Sequence, residues 1–145
     1  MTESVFFLYT DGACRGNPGP GGAGAVIVDE RGEVVAKVRR YLGRCTNNIA
    51  EYQALIMGVE EALKRKCRNL RIFLDSELLV NQVKGTYRVK SEGLKPLMAE
   101  LRRLLSFLDG YTIEHIARGG NALADGLANE AIDRAHAEER SEQTR

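Results

Sequence analysis

No stretch of this 145-residue chain holds the roughly 20 consecutive apolar residues that a membrane-spanning helix needs, so none is expected. The first residues, MTESVFFLYTDG, carry neither a basic leader nor a small-residue cleavage site, and no signal peptide is read there. Cysteine is scarce. Cys14, Cys45 and Cys67 are odd in number and lack metal-ligand spacing, which argues against a disulfide framework or a zinc site and fits reduced thiols in the cytoplasm. An excess of charge of one sign is also missing: the formal net charge is +1, so a nucleic-acid partner must be argued from local features. There is no internal repeat and no linker. What remains is ordinary for a globular chain, 43% hydrophobic and 28% charged, and long enough to bury a core. We expect one domain over residues 1–135 and a polar tail, residues 136–145, that frays.

Hydrophobic periodicity outlines the elements. Val5 to Thr10 is apolar up to its last residue and reads as a strand buried on both faces. Ala23 to Val28 and Glu33 to Leu42 continue a meander, with "DERG" turning between them. From Thr46 the period changes: Ile49, Tyr52, Ile56, Val59 and Leu63 fall at helical spacing, to about Lys66. A short strand, Leu70 to Leu74, precedes a helix over Glu77 to Val83, and a second helix covers Leu94 to Leu108. Tyr111 to Ala117 reads as a last strand, and Asn121 to Ala135 as a last helix. The order βββαβααβα predicts an α/β fold, a mixed sheet with helices packed on it.

The segment "YTDGACRGNPGPGGAGAVIV", residues 9–28, is unusually rich in glycine. Gly19, Gly21 and Gly24 match G-x-G-x-x-G, but a dinucleotide site must open a helix and this segment opens a strand. The kinase form of the motif fails because no H-R-D or D-F-G follows, and G-K-[ST] is absent.

Four acids stand at suggestive places, and each has an ordinary explanation. Asp11 precedes a glycine, as turn acids do. Asp75 lies between strand and helix, where aspartate caps well. "NIAE", ending at Glu51, resembles a capping box, and Asp125 could be a solvated helix acid. Together they suggest more. Asp11 and Asp75 both end apolar strands, and in α/β sheets ligands collect beyond the carboxyl ends of strands. Glu51 starts the crossover helix and Asp125 lies near the start of the last one. Gathered at about 4 Å in an effective dielectric near 20, each pair would repel by roughly 4 kcal/mol, which a divalent cation would relieve. Oxygen ligands without histidine or cysteine suit Mg²⁺ or Mn²⁺.

The segments "TDGACRGNPGPGGAGAV", "TNNIAEYQAL", "LDSELLVNQV" and "NALADGLAN" resemble, in order and spacing, the four acidic motifs of the type 1 ribonuclease H family. The resemblance covers about Val5 to Asp133 and implies a ribonuclease H-like fold with a five-stranded mixed sheet. It implies metal-dependent endonucleolytic cleavage of the RNA strand of an RNA/DNA hybrid, leaving 5′-phosphate and 3′-hydroxyl ends. Asp11, Glu51, Asp75 and Asp125 would be the catalytic residues and the ligands of two Mg²⁺ or Mn²⁺ ions. Gly12, Cys14, Arg15, Gly16 and Asn17 match the loop that reads the RNA strand, with the glycines leaving room for close approach to the minor groove. Thr46, Asn47 and Asn48 match a second substrate loop, although Thr46 is equally a helix cap. Arg118 and Asn121, before the last acid, complete the substrate-binding set. RNA/DNA hybrid is the expected partner of a monomer that binds no membrane. Double-stranded RNA as a broader substrate, a same-fold nuclease acting on DNA, and a non-catalytic nucleic-acid-binding module are the alternatives.

Two family features are weak here. His115, the candidate for a product-release histidine, falls within the last strand. In place of a long basic handle only "VKGTYRVKSEGLK" is present, so Lys84, Tyr87, Arg88, Lys90 and Lys95 form either a reduced phosphate grip or a solvated loop.

Overall fold

The computed structural model describes residues 4–143. Three strands come first: β1 (Val5–Cys14), β2 (Gly19–Val28) and β3 (Val34–Cys45). They are followed by α1 (Asn47–Lys64), β4 (Asn69–Leu74), α2 (Glu77–Lys84), α3 (Lys95–Leu105) and β5 (Gly110–His115). A 3₁₀ turn, Arg118–Asn121, leads into α4 (Ala122–Gln143). The sheet order is β3-β2-β1-β4-β5. Short connections make β1, β2 and β3 antiparallel neighbours, whereas helical crossovers make β4 parallel to β1 and β5 parallel to β4. The element order anticipated a mixed sheet with helices packed on it, and the five strands are those that the family resemblance implied.

The core lies between the sheet and α1, with α3 behind it. Leu8, Tyr52, Leu55, Val59, Leu70, Ile72 and Leu101 are all essentially buried there. Thr46 caps α1 by accepting a hydrogen bond from the Ile49 amide at 3.3 Å. In the turn between β2 and β3, Asp29 Oδ1 accepts from the amides of Arg31 and Glu33 at 2.9 and 3.0 Å.

Three expectations need correction. First, β1 is buried on one face only. Leu8 and Thr10 point into the core, while Phe7 and Tyr9 are half-buried and stack on Phe73 with ring centroids 6.4 and 5.2 Å apart. On that face α4 lies chiefly across β2 and touches β1 and β3 less, and Arg71 lies over the Phe7 and Phe73 rings with its guanidinium 5.7 and 5.8 Å from their centroids. Second, the glycine segment is strand: β1 runs on through Asp11 to Cys14 and β2 begins at Gly19 rather than Ala23. Its missing β-carbons make room for the protein's own helices. A Cβ on Gly22 or Gly24 would strike the backbone carbonyls of Ala128 or Ala124 on α4, and one on Gly12 would strike Ala50 and Glu51 on α1. Third, α4 does not stop near Ala135 but continues to Gln143, through residues that favour helix, with an Arg134–Glu130 pair at 3.3 Å on its surface.

Candidate active site

The parallel register of β1 and β4 sets two acids side by side. Tyr9 is opposite Phe73, and Asp11 and Asp75 each stand two residues further along. Thr10, Asp11, Gly12, Glu51, Leu74 and Asp75 line one narrow recess at this sheet edge. Close packing of the α1 backbone on Gly12 brings Glu51 over it, one residue past the first helical turn. Asp125 enters from the opposite side, in the first turn of α4, and hydrogen-bonds the Asp11 carboxyl.

The electrostatics follow from this crowding. Burial pushes the Asp11 carboxyl up to about 8, helped by its hydrogen bond to Asp125 and by the charges of Asp75, Asp125 and Glu51. Glu51 is raised as well, chiefly by burial and by Asp75; the Ser76 hydroxyl and the Arg118 guanidinium pull it back. Asp75 Oδ2 is buried and has no hydrogen-bond partner. The helix-cap explanation of Asp75 does not hold, because Ser76 performs that role by accepting from the Leu79 amide at 3.2 Å. Nor does Glu51 form a capping box, since Thr46 caps α1 through Ile49.

An orphaned buried carboxylate oxygen, beside a neighbour driven toward its neutral form, is what a cation would repair. The donors are all hard oxygens, so the residues present fit Mg²⁺ or Mn²⁺. Among the described residues no three acidic, histidine or cysteine side chains already form a cage around a single point. The acids would have to draw inward around an ion.

The expected substrate residues divide into exposed and committed groups. Gly16, with φ of 89°, and Asn17 are exposed on the turn between β1 and β2, Asn47 and Asn48 are exposed at the start of α1, and Asn17 Oδ1 accepts from the Asn47 amide at 3.1 Å. Arg118 is exposed at the recess, close enough for its charge to act on Glu51. Thr46 is half-buried and spends its hydroxyl on the α1 cap. The Cys14 sulfur turns inward, 2.6 Å from the Gly16 carbonyl oxygen and 3.0 Å from that of Cys45, and so braces its loop. Gly12 faces α1.

Two of these residues are placed otherwise than expected. Arg15 does not extend outward: its Nη1 pairs with Asp133 Oδ1 at 2.7 Å, and its Nη2 donates to Asn129. Asn121 is only 1% exposed and lies beneath the surface. Its Nδ2 donates to the Thr10 carbonyl at 2.8 Å, where the chain leads into Asp11, and its Oδ1 is without a partner, so it does not cap α4. His115 is the final residue of β5 and is exposed. Sequence reasoning missed Asn129, whose Nδ2 donates to the carbonyl and Oδ1 of Asp125 at 3.0 and 3.3 Å. Its position four residues after Asp125 in "DGLAN" was the available signal.

Larger hollows lie away from the acids. One groove of about 490 Å³ is lined by Asn48, Gln82, Thr86, Tyr87, Arg88, Lys90 and Ser91, which puts the short basic connection beside the second loop.

Known proteins resemble this chain along most of its length. A family model described as "Reverse transcriptase-like" matches residues 9–131. The chain is 40% identical over 129 residues to a bifunctional protein of Mycobacterium tuberculosis, covering 88% of this chain but 35% of that one. It is 41% identical to a ribonuclease HI of Halobacterium salinarum, covering 86% of this chain and 63% of the relative. A ribonuclease H of Pseudomonas savastanoi pv. phaseolicola is 36% identical, covering 92% and 95% of the two chains. The first of these relatives are thus much longer than this chain. Among solved structures, LC11 ribonuclease H1 in complex with an RNA/DNA hybrid is 41% identical, with a TM-score of 0.85 over 90% of this chain and 98% of that one. The Halobacterium salinarum ribonuclease H1 superposes with a TM-score of 0.88 at 39% identity, covering 90% and 98%. With the matched model spanning most of the chain and such relatives aligned along it, the chain belongs to the ribonuclease H family.

Proposed function

We propose that this chain is a metal-dependent endonuclease that hydrolyses the RNA strand of RNA/DNA hybrids, leaving 5′-phosphate and 3′-hydroxyl ends. The observation that carries the proposal is the meeting of Asp11, Glu51, Asp75 and Asp125 at one sheet edge, with Asp11 raised to about 8 and Asp75 Oδ2 orphaned. These four carboxylates would hold two Mg²⁺ or Mn²⁺ ions, with Asp11 at the centre of the group. Bound there, the metals would supply a water acidified to a nucleophile and charge stabilisation at the leaving 3′ oxygen.

The rest falls to the protein. Asp11 has to give up its proton before it can act as a ligand, and the Arg118 guanidinium offers a positive charge beside Glu51 for a phosphate of the strand. Gly16 and Asn17, joined to Asn47 by the Asn17 side chain, present backbone and amide groups to the 2′-hydroxyls in the wide minor groove of a hybrid. Arg88 and Lys90, with Tyr87, line the groove that would grip phosphates of the DNA strand. No serine or cysteine nucleophile is needed.

The test is cleavage of an end-labelled RNA presented as a hybrid with DNA, as a single strand and as an RNA duplex. Each would be incubated with Mg²⁺, Mn²⁺ or chelator, with Asp75→Asn as the control. Metal-dependent cutting of the hybrid alone, lost in the variant, is the expected result. Equal cutting of duplex RNA would broaden the substrate class. No cutting of any substrate would overturn the proposal in favour of a binding module.

A further inference from the structure

Asp125, Asn129 and Asp133 follow one another at intervals of four along α4 and therefore share one face of the helix. The Asn129 amide is bonded in both directions. Its Nδ2 donates to the Asp125 carbonyl at 3.0 Å and to Asp125 Oδ1 at 3.3 Å. Its Oδ1 accepts from Arg15 Nη2 at 3.3 Å, and its backbone carbonyl accepts from the same nitrogen at 3.4 Å. Arg15 is further held by Asp133 at 2.7 Å. Arg15 also opens the turn that carries Gly16 and Asn17, and Asn17 reaches the second loop through the Asn47 amide. Hydrogen bonds from Asp125 through Asn129 to Arg15, and the turn backbone from Arg15 to Asn17, thus join one acid of the recess to the turn and to the start of α1.

The chemistry of the middle residue is specific. It must donate toward a carboxylate and accept from a guanidinium, and asparagine presents both at the end of a short side chain. Aspartate would set a second negative charge against Asp125, and an aliphatic residue would meet neither demand. Stability is a poor explanation for the arrangement. The Arg15–Asp133 pair is exposed, with side chains 38% and 66% accessible, and such pairs contribute little.

We propose that Asn129 is a positioning residue: it aims the Asp125 carboxylate toward the space that would take a divalent cation and, through Arg15, couples that aim to the substrate-reading turn. The inference rests on the proposed two-metal site. Residues behind metal ligands commonly alter metal affinity by about 10–100-fold, and a coupling of this kind is reciprocal. Duplex bound on the turn would tighten the metal, and metal would tighten the duplex.

The test is a double-mutant cycle on Arg15→Ala and Asn129→Ala. The primary readout is the Mg²⁺ concentration at the midpoint of the metal-induced rise in Tm, measured without substrate. We expect Asn129→Ala to raise this midpoint about 10-fold and Arg15→Ala about 3-fold, with Arg15→Ala adding nothing once Asn129 is gone. Asn129→Asp should be worse than alanine. At saturating Mg²⁺ the Asn129→Ala kcat on a hybrid should return to within about 3-fold of the parent, which damage to the fold would not allow. A midpoint unchanged in Asn129→Ala, or strictly additive effects of the two substitutions, would overturn the relay. Should Asn129→Ala fail to fold, Arg15→Ala decides, because its side chain is exposed: an unshifted midpoint refutes the coupling. Since the midpoint needs no turnover, a parent protein that binds Mg²⁺ but cuts nothing would refute the proposed activity while leaving this test intact.

Discussion

Substituting Gly12 with alanine should disable the recess far more than it destabilises the protein. Gly12 lies in β1 beside Asp11, and its backbone φ is not in the left-handed region, so alanine meets no torsional strain. The obstacle is contact. The new Cβ would fall on the backbone of Ala50 and Glu51, well inside the 3.4 Å at which ordinary contacts begin, and backbone cannot rotate away as a side chain could. The start of α1 must therefore retreat by about 1 Å, carrying Glu51 away from Asp11 and Asp75. Overpacking of this kind costs roughly 1–3 kcal/mol, offset by about 0.4–1 kcal/mol because alanine restricts the unfolded chain. A net loss of about 1–2 kcal/mol corresponds to a Tm lower by roughly 2–8 °C. A displacement of about 1 Å at reacting groups costs about 100-fold in rate. The assay is single-turnover cleavage of a hybrid at saturating Mg²⁺, paired with thermal melts. Gly126→Ala is the control: its Cβ would meet nothing within 4 Å, and alanine favours the helix, so its stability should be equal or higher. If folded Gly12→Ala cuts within about 3-fold of the parent, Glu51 is not held in place by this contact and the reasoning fails.

Three further outcomes are expected. Because the folded Asp11 carboxyl is raised to about 8 from 3.8, the native state keeps a proton that the unfolded chain has lost, and metal-free stability should fall as pH rises between those values. The full displacement corresponds to about 5–6 kcal/mol, cut to about 2–3 kcal/mol by water reaching the group, so Asp11→Asn should gain on the parent by that amount from about pH 5 to about pH 9 in chelator; a constant gap would refute it. Several mM Mg²⁺ should raise the Tm through preferential binding to the folded state, and Asp75→Asn should shrink the rise; a full rise in the variant would place the metal elsewhere. The double substitution Arg88→Ala with Lys90→Ala should raise KM for a hybrid with little change in kcat, most clearly as salt increases, and an unchanged KM at physiological salt would remove the phosphate-grip reading.

Much of this was legible along the chain. Apolar runs at period two and then 3.6 mark the strands and helices in their true order, and the short turns and helical crossovers dictate which strands run antiparallel and which parallel. Asp75, just past β4, and Glu51 and Asp125, near helix starts, stand out in the same local way, whereas Asp11 does not end its strand as the pattern suggests, because β1 pairs with β2 through to Cys14. Contacts between distant segments are a different matter. That Gly22 and Gly24 serve α4 rather than a substrate depends on residues a hundred positions away. That Asn121 is buried under Thr10, and that Arg15 is claimed by Asn129 and Asp133, likewise emerges only when α4 is laid across β2. Periodicity reports which face of an element is apolar, because that is a property of neighbouring residues. It carries no record of which polar partner fills a given side chain's hydrogen bonds, since that partner is supplied by tertiary packing.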